Sequence, residues 1–320
     1  MITDIFARRY QTVFWFPEAA AAQLQPLFMQ AAHLIFTDLQ TALAPNDTMY
    51  KGVHDRLARE LGLPSLPVEG DNYYRRCAAF LAQPYNLWND HHGDVDTHTK
   101  RRFSILEMLF AAFEERAKAS VDARPSRGIF GRSAEQPPSP EAAARWRQAF
   151  AQAVAELNQR LHIGRAGLAY HNGVLQRSAD ELTEERIVAP FWEFVSGRGW
   201  STVDSDMKEA CDRADRLEPE AANYAMRALE SAIKMVSDDA GASTDKERGA
   251  ANYIDNLLSE RSGRLLRGWE GEALKALFRD VRNPMSHGGG AVAPQPLTAA
   301  QTIWVIEVCM SWIKRLSSRT

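Results

Sequence analysis

Between Ala222 and Val236 the apolar residues Ala222, Met226, Leu229, Ile233 and Val236 alternate steps of four and three. That spacing keeps one stripe of an α-helix apolar and is the seam of a helix bundle. No strand, whose faces alternate every second residue, can use it. The same period recurs along most of the chain. Residues 17–43 carry it with an interruption expected at Pro26, and Asn46 or Asp47 can cap a helix running through "MYKGVHDRLAREL" to Gly62. Further helices are predicted over Tyr73–Ala82 and Thr97–Ala119, where Phe103, Leu106, Phe110 and Phe113 share a face, and from Ser139-Pro140 to about Leu161. Beyond Asp204 they are predicted near 204–216, 219–240, 247–260, 270–283 and 298–316.

One stretch departs from the period. "GLAYHNGVLQRS" sets two short β-compatible runs about Asn172-Gly173, the dipeptide of type I′ turns. The expected class is therefore all-α with one small β-hairpin. An N-terminal domain over 1–200 and a C-terminal helix bundle over 201–320 are expected, with the boundary after "SGRGW". Residues 120–138, rich in Pro, Gly, Ser and Arg without a period, are expected to form a mobile insertion.

Composition narrows the chemistry. The 320 residues are 45% hydrophobic and carry a formal charge of -3, so no global field draws polyanions and any nucleic-acid contact must rest on a local patch. Cys77, Cys211 and Cys309 are too scattered for a disulfide framework or a cysteine-rich zinc site, and buried thiols are expected. No run has the length of a membrane helix and the N-terminus lacks a signal peptide, so a cytoplasmic protein without membrane contact is expected. The cluster "NDHHGDVDTH" offers Asp90, His91, His92, Asp94, Asp96 and His98 as metal ligands, but lacks the i, i+4 pairing of a helical zinc site; a charged loop explains it as well. His33 and His54 are expected to be surface or satisfied imidazoles, and His171 to be exposed.

"RDVRNPMSHGGG", residues 279–290, is harder to explain by folding alone. Pro284 stops a helix and Gly288 can cap it, yet neither calls for a histidine. An arginine and an imidazole at a helix end can meet around a phosphate. His287 can take a proton from a ribose 2′-hydroxyl or give one to the leaving oxygen. Arg282 can hold the non-bridging oxygens as negative charge grows. No metal or other cofactor is needed. The 2′-hydroxyl makes the substrate RNA. Residues 261–290 also hold six basic against three acidic side chains, a candidate phosphate-positioning patch.

"RNPMSH", an arginine followed by histidine after four residues with polar Asn283 beside it, resembles the motif of the HEPN superfamily (higher eukaryotes and prokaryotes nucleotide-binding). "RAGLAYH", Arg165 to His171, fits the bare pattern too, but at a hairpin, so helix-end context selects Arg282. "LESAIK", Leu229 to Lys234, resembles the Glu-Ser-x-x-Lys stretch on the inner helix of HEPN domains in abortive-infection proteins. "DIFARRY", "MYKGVHDRLARELGLPSL" and "GLAYHNGVLQR" resemble an N-terminal domain type of AbiJ-like proteins. The resemblance implies an RNA-cleaving effector of anti-phage defence, acting as a homodimer and controlled by a phage-derived trigger or an antitoxin. It implies catalytic roles for Arg282 and His287, a supporting role for Asn283, and for Glu230 a carboxylate facing the pair. The plain alternative for Glu230 is a surface i, i+4 pair with Lys234. The alternative to an enzyme is a HEPN module that dimerises or binds nucleotide or RNA without turnover. Pro284 is the residue expected to tune the Arg–His geometry.

Overall fold

The computed structural model describes residues 4–86, 93–122, 138–178, 180–218, 220–244, 246–282 and 297–317. Twelve helices and one two-stranded hairpin are present among them, and the chain divides into two compact units, Asp4–Ser178 and Ala179–Thr320.

The first unit begins with α1 (Phe6–Arg9). Helix α2 starts at Glu18–His33, passes a π-helical turn at Leu34–Leu39 and ends with Gln40–Leu43. It runs straight through Pro26, contrary to the expected break: the lost N–H bond is tolerated because Leu24, Leu27, Phe28 and Ala31 are buried around it. Asn46 caps α3 (Asp47–Glu60) by accepting from the Met49 N–H. Helix α4 (Tyr73–Ala82) has the expected bounds. Helix α5 (Val95–Asp122) is the axis of the unit, with Phe103, Leu106, Phe110 and Phe113 fully buried. Ser139 caps α6 (Pro140–Ile163), whose proline sits in the first turn, where its missing N–H costs nothing. Most of the expected insertion, 123–137, lies outside the described residues.

Strands β1 (Leu168–His171) and β2 (Val174–Arg177) pair antiparallel around Asn172 and Gly173, both with positive φ as the type I′ turn demands. Buried polar groups fasten the hairpin to α5. Glu107 accepts from Arg9 and, at 2.6 Å, from the Leu175 N–H, while the Tyr170 hydroxyl donates to Glu114 at 2.7 Å. Burial carries His171 to 7% exposure, not the exposed position expected.

The second unit opens earlier than the expected boundary near residue 200. Helix α7 runs from Glu181–Thr183 through a π turn, Glu184–Val188, to Ala189–Arg198. Its Phe191, Trp192 and Val195 share one core with α8 (Ser201–Asp215), α9 (Ala221–Asp239), α10 (Ala250–Leu258), α11 (Gly268–Leu277) and α12 (Ala299–Ser317). The α9 seam, Ala222, Met226, Leu229, Ile233 and Val236, is wholly buried at the centre of this bundle. Gly271 lets α11 close on α10: a β-carbon there would fall 2.6 Å from Leu258 Cδ1. Thr298 and Gln301 bond each other's backbone N–H groups at the start of α12, a reciprocal cap. No described helix is long and apolar enough to cross a membrane.

Candidate functional site: the Arg282–Glu230 junction

Two elements build the site. Glu230 follows Leu229 on α9, next to the buried seam, so its carboxylate emerges at the rim of the core and is 13% exposed. Helix α11 does not stop at Leu277; it widens into a π turn, Phe278–Arg282, in which Phe278 is buried and Arg282 comes last. Such turns hold one extra residue and reset which face of a helix a side chain takes. Here the Arg282 Nη2 reaches Glu230 Oε2 at 2.7 Å. Glu230 Oε1 is meanwhile 2.9 Å from Lys234 Nζ, the i, i+4 partner. Both expectations for Glu230 hold together: it pairs with the lysine one turn on and it faces Arg282.

The arginine is only 26% exposed, and its Nε is buried without a hydrogen-bond partner among the described residues. A charged group this enclosed keeps its geometry, because leaving Glu230 would strand a partly desolvated guanidinium. A carboxylate on one edge also leaves other guanidinium N–H groups for a second anion. Asn283, Pro284 and His287 lie outside the described residues, so of the four proposed site residues the structure brings together Arg282 and Glu230.

The surrounding basic residues are not a bare positive field. Arg264 pairs with Glu260 at 2.6 Å, Lys275 with Asp255 at 2.7 Å, and Arg279 with neighbouring Asp280. Among the described residues the guanidinium groups of Arg261 and Arg267 have no acidic partner, and both residues are exposed. Sequence reading passed over Trp269, which follows these arginines and is 68% exposed. The signal was present as "RGWEGE": a tryptophan in the first turn of a helix has no seam to fill there.

The other candidates have structural work. Asp94 is held below the usual carboxylate range by the Thr97 side chain and by the Thr97 N–H, which donates to it at 2.7 Å. Asp96 is buried against Lys100 at 2.6 Å, and His98 Nε2 meets the Gln83 carbonyl at 3.1 Å. Asp90, His91 and His92 lie outside the described residues; among the described ones no His/Cys/Asp/Glu cluster could hold a metal ion. His54 is buried and satisfied, with Nδ1 on Asp55 and Nε2 on Ser65. His33 is exposed. Cys77 and Cys309 are buried and Cys211 is half-buried; burial pushes the Cys77 thiol up to about 12, far from a reactive thiolate.

No protein-family model, curated protein or solved structure matches the chain. The HEPN and AbiJ-like resemblances therefore rest on the quoted residues.

Proposed function

We propose that the C-terminal unit is a metal-independent endoribonuclease of the HEPN type, with Arg282 and His287 as its catalytic pair. The observation that supports this most is the Arg282–Glu230 pair, which fixes a largely enclosed guanidinium as the last residue of the Phe278–Arg282 turn, five positions ahead of the motif histidine in sequence. In the proposed reaction His287 removes the proton from a ribose 2′-hydroxyl. The freed oxygen attacks the adjacent phosphorus, and the 5′-oxygen leaves with a proton returned by the imidazolium. Products are a 2′,3′-cyclic phosphate and a 5′-hydroxyl. Arg282 stabilises the extra negative charge on the phosphoryl oxygens, and Glu230 positions Arg282. Asn283 supports the phosphate or its neighbours. By the resemblance, the setting is growth-arresting anti-phage defence in a homodimer.

Purified full-length protein, incubated with RNA in EDTA, is expected to release cyclic-phosphate ends. Arg282→Ala is expected to cut about 10²- to 10³-fold more slowly, and His287→Ala about 10²- to 10⁴-fold, with circular dichroism unchanged. Cleavage that both variants retain, or that EDTA abolishes, refutes the reading. RNA binding that depends on Arg282 without any cleavage assigns the unit to the non-catalytic alternative.

A further inference from the structure

The loop that joins α10 to α11 is a rigid shelf. The Ser262 hydroxyl donates to the Leu257 carbonyl at 2.9 Å, the Leu266 N–H donates to the same carbonyl at 3.1 Å, and Arg264 N–H to that of Ser259 at 3.0 Å. Leu266 is plugged into the core at 2% exposure. Gly263 and Arg264 both take left-handed φ values, which turn the chain sharply. A cleft of about 610 Å³ results, lined by Leu258, Arg264, Leu266, Arg267 and Gly268. A β-carbon at Gly268 would meet nothing within 4 Å.

Three side chains stand at this shelf with unspent binding capacity. Trp269 has no ring or cation partner among the described residues and is 68% exposed. The Arg267 backbone N–H donates to Glu270 at 2.7 Å but its guanidinium has no acidic partner there, and the Arg264–Glu260 pair is exposed on both sides, at 68% and 83%, so it exchanges readily for another anion. An exposed indole two residues after an arginine whose guanidinium has no acidic partner among the described residues, with a second arginine in a surface pair on the same loop, is the chemistry that stacks an unpaired base while holding its phosphates. A duplex hides its base faces from such a ring, and a neutral peptide leaves the arginines unused.

We propose that the α10–α11 shelf binds single-stranded RNA, with a base stacked on Trp269 and phosphates held by Arg264 and Arg267. That the strand is RNA rests on the ribonuclease reading; the stacking and charge do not. Arg282 lies roughly 20 Å farther along the same helix at ~1.5 Å per residue. A strand rising ~3.4 Å per nucleotide spans that in about six nucleotides. The shelf is thus a secondary anchor that holds the strand while another part of it reaches Arg282.

The test uses the full chain carrying His287→Ala, so that the strand is not consumed, and fluorescein-labelled oligouridylate about twelve nucleotides long. Fluorescence anisotropy is expected to show Trp269→Ala binding roughly 5- to 100-fold more weakly, and Trp269→Phe restoring most of the loss. Arg264→Gln and Arg267→Gln are each expected to flatten the dependence of log K on log salt by about 0.7. Binding within twofold of the parent in Trp269→Ala, or the same Trp269 dependence with a duplex of equal length, overturns the proposal. The two readings fail separately. Wild-type protein that binds through Trp269 but never cleaves removes the ribonuclease and keeps the shelf; cleavage that needs His287 while Trp269→Ala binds normally does the reverse.

Discussion

Replacing Glu230 by alanine tests whether the α9–α11 ion pair is more than a surface contact. Exposed pairs contribute ~0.2–1 kcal/mol, whereas breaking a fully buried pair costs ~3–5 kcal/mol. Glu230 is 13% exposed and Arg282 26%, between these limits, and the Arg282 Nε already lacks a partner among the described residues. We expect about 1.5 kcal/mol of coupling between them. Lys234, 43% exposed, is an ordinary i, i+4 partner at about 0.4 kcal/mol. Glu230→Ala is then expected to cost about 2 kcal/mol, the two couplings together. Urea unfolding followed by tryptophan fluorescence suits the measurement, because Trp192 and Trp200 are buried in the C-terminal core. Double-mutant cycles of Glu230 with Arg282 and with Lys234 separate the two contributions. Raising salt to about 1 M should shrink the lysine coupling more than the arginine coupling, since screening acts on exposed charge. An arginine coupling no larger than that of lysine would refute the claim that the site is held in place. On the ribonuclease reading the same variant should also cleave about tenfold more slowly, about 1.4 kcal/mol of lost orientation.

Leu229→Ala, at the centre of the buried α9 seam, should lower stability by about 2–4 kcal/mol in the same assay, as a cavity in a close-packed core does. Glu107→Ala removes the acceptor shared by Arg9 and the Leu175 N–H, and should cost about 3–5 kcal/mol with early hydrogen exchange in the hairpin; late exchange there would contradict the proposed clip. Glu307 is held above the ordinary carboxylate range by burial, with Asp180 adding repulsion. The unfolded chain gives up this proton at lower pH than the folded chain, so the folded state is penalised once pH passes the ordinary value and fully so above the raised one. Glu307→Gln should therefore raise the urea midpoint at pH 8 and change it much less at pH 4.

What could be read in advance follows a physical division. The α9 seam, the α5 aromatic face and the type I′ turn are local patterns, each set by residues within a turn or two of one another, and they lie where their spacing puts them. The burial of His171 and the Arg9–Glu107–Leu175 clip join residues from three distant stretches, and no periodicity reports them. Helix α7 was missed because Pro190, Gly197 and Gly199 mimic a linker, although Phe191, Trp192 and Val195 give it a core face. Pro26 does not break α2, since it sits on the exposed side while the buried face of Ala21, Leu24, Leu27, Phe28 and Ala31 outweighs one lost backbone bond. Glu230 lay at the edge of the seam, which left it between solvent and Arg282. Its actual position depends on the π turn, which leaves no mark in composition.

That turn makes the site a matter of residue count. Phe278–Arg282 holds one residue more than an α turn would, so the junction is an offset written into chain length. Deleting one residue between Leu274 and Val281 would return the helix to α pitch with Arg282 on nearly the same face, because the π turn spends five residues on the rotation that an α turn completes in four. A second deletion would have no extra residue to absorb it and would swing Arg282 by about 100° about the axis. The guanidinium would then leave Glu230 although every functional residue type remained, and of two otherwise identical chains differing by such a gap one would have no site.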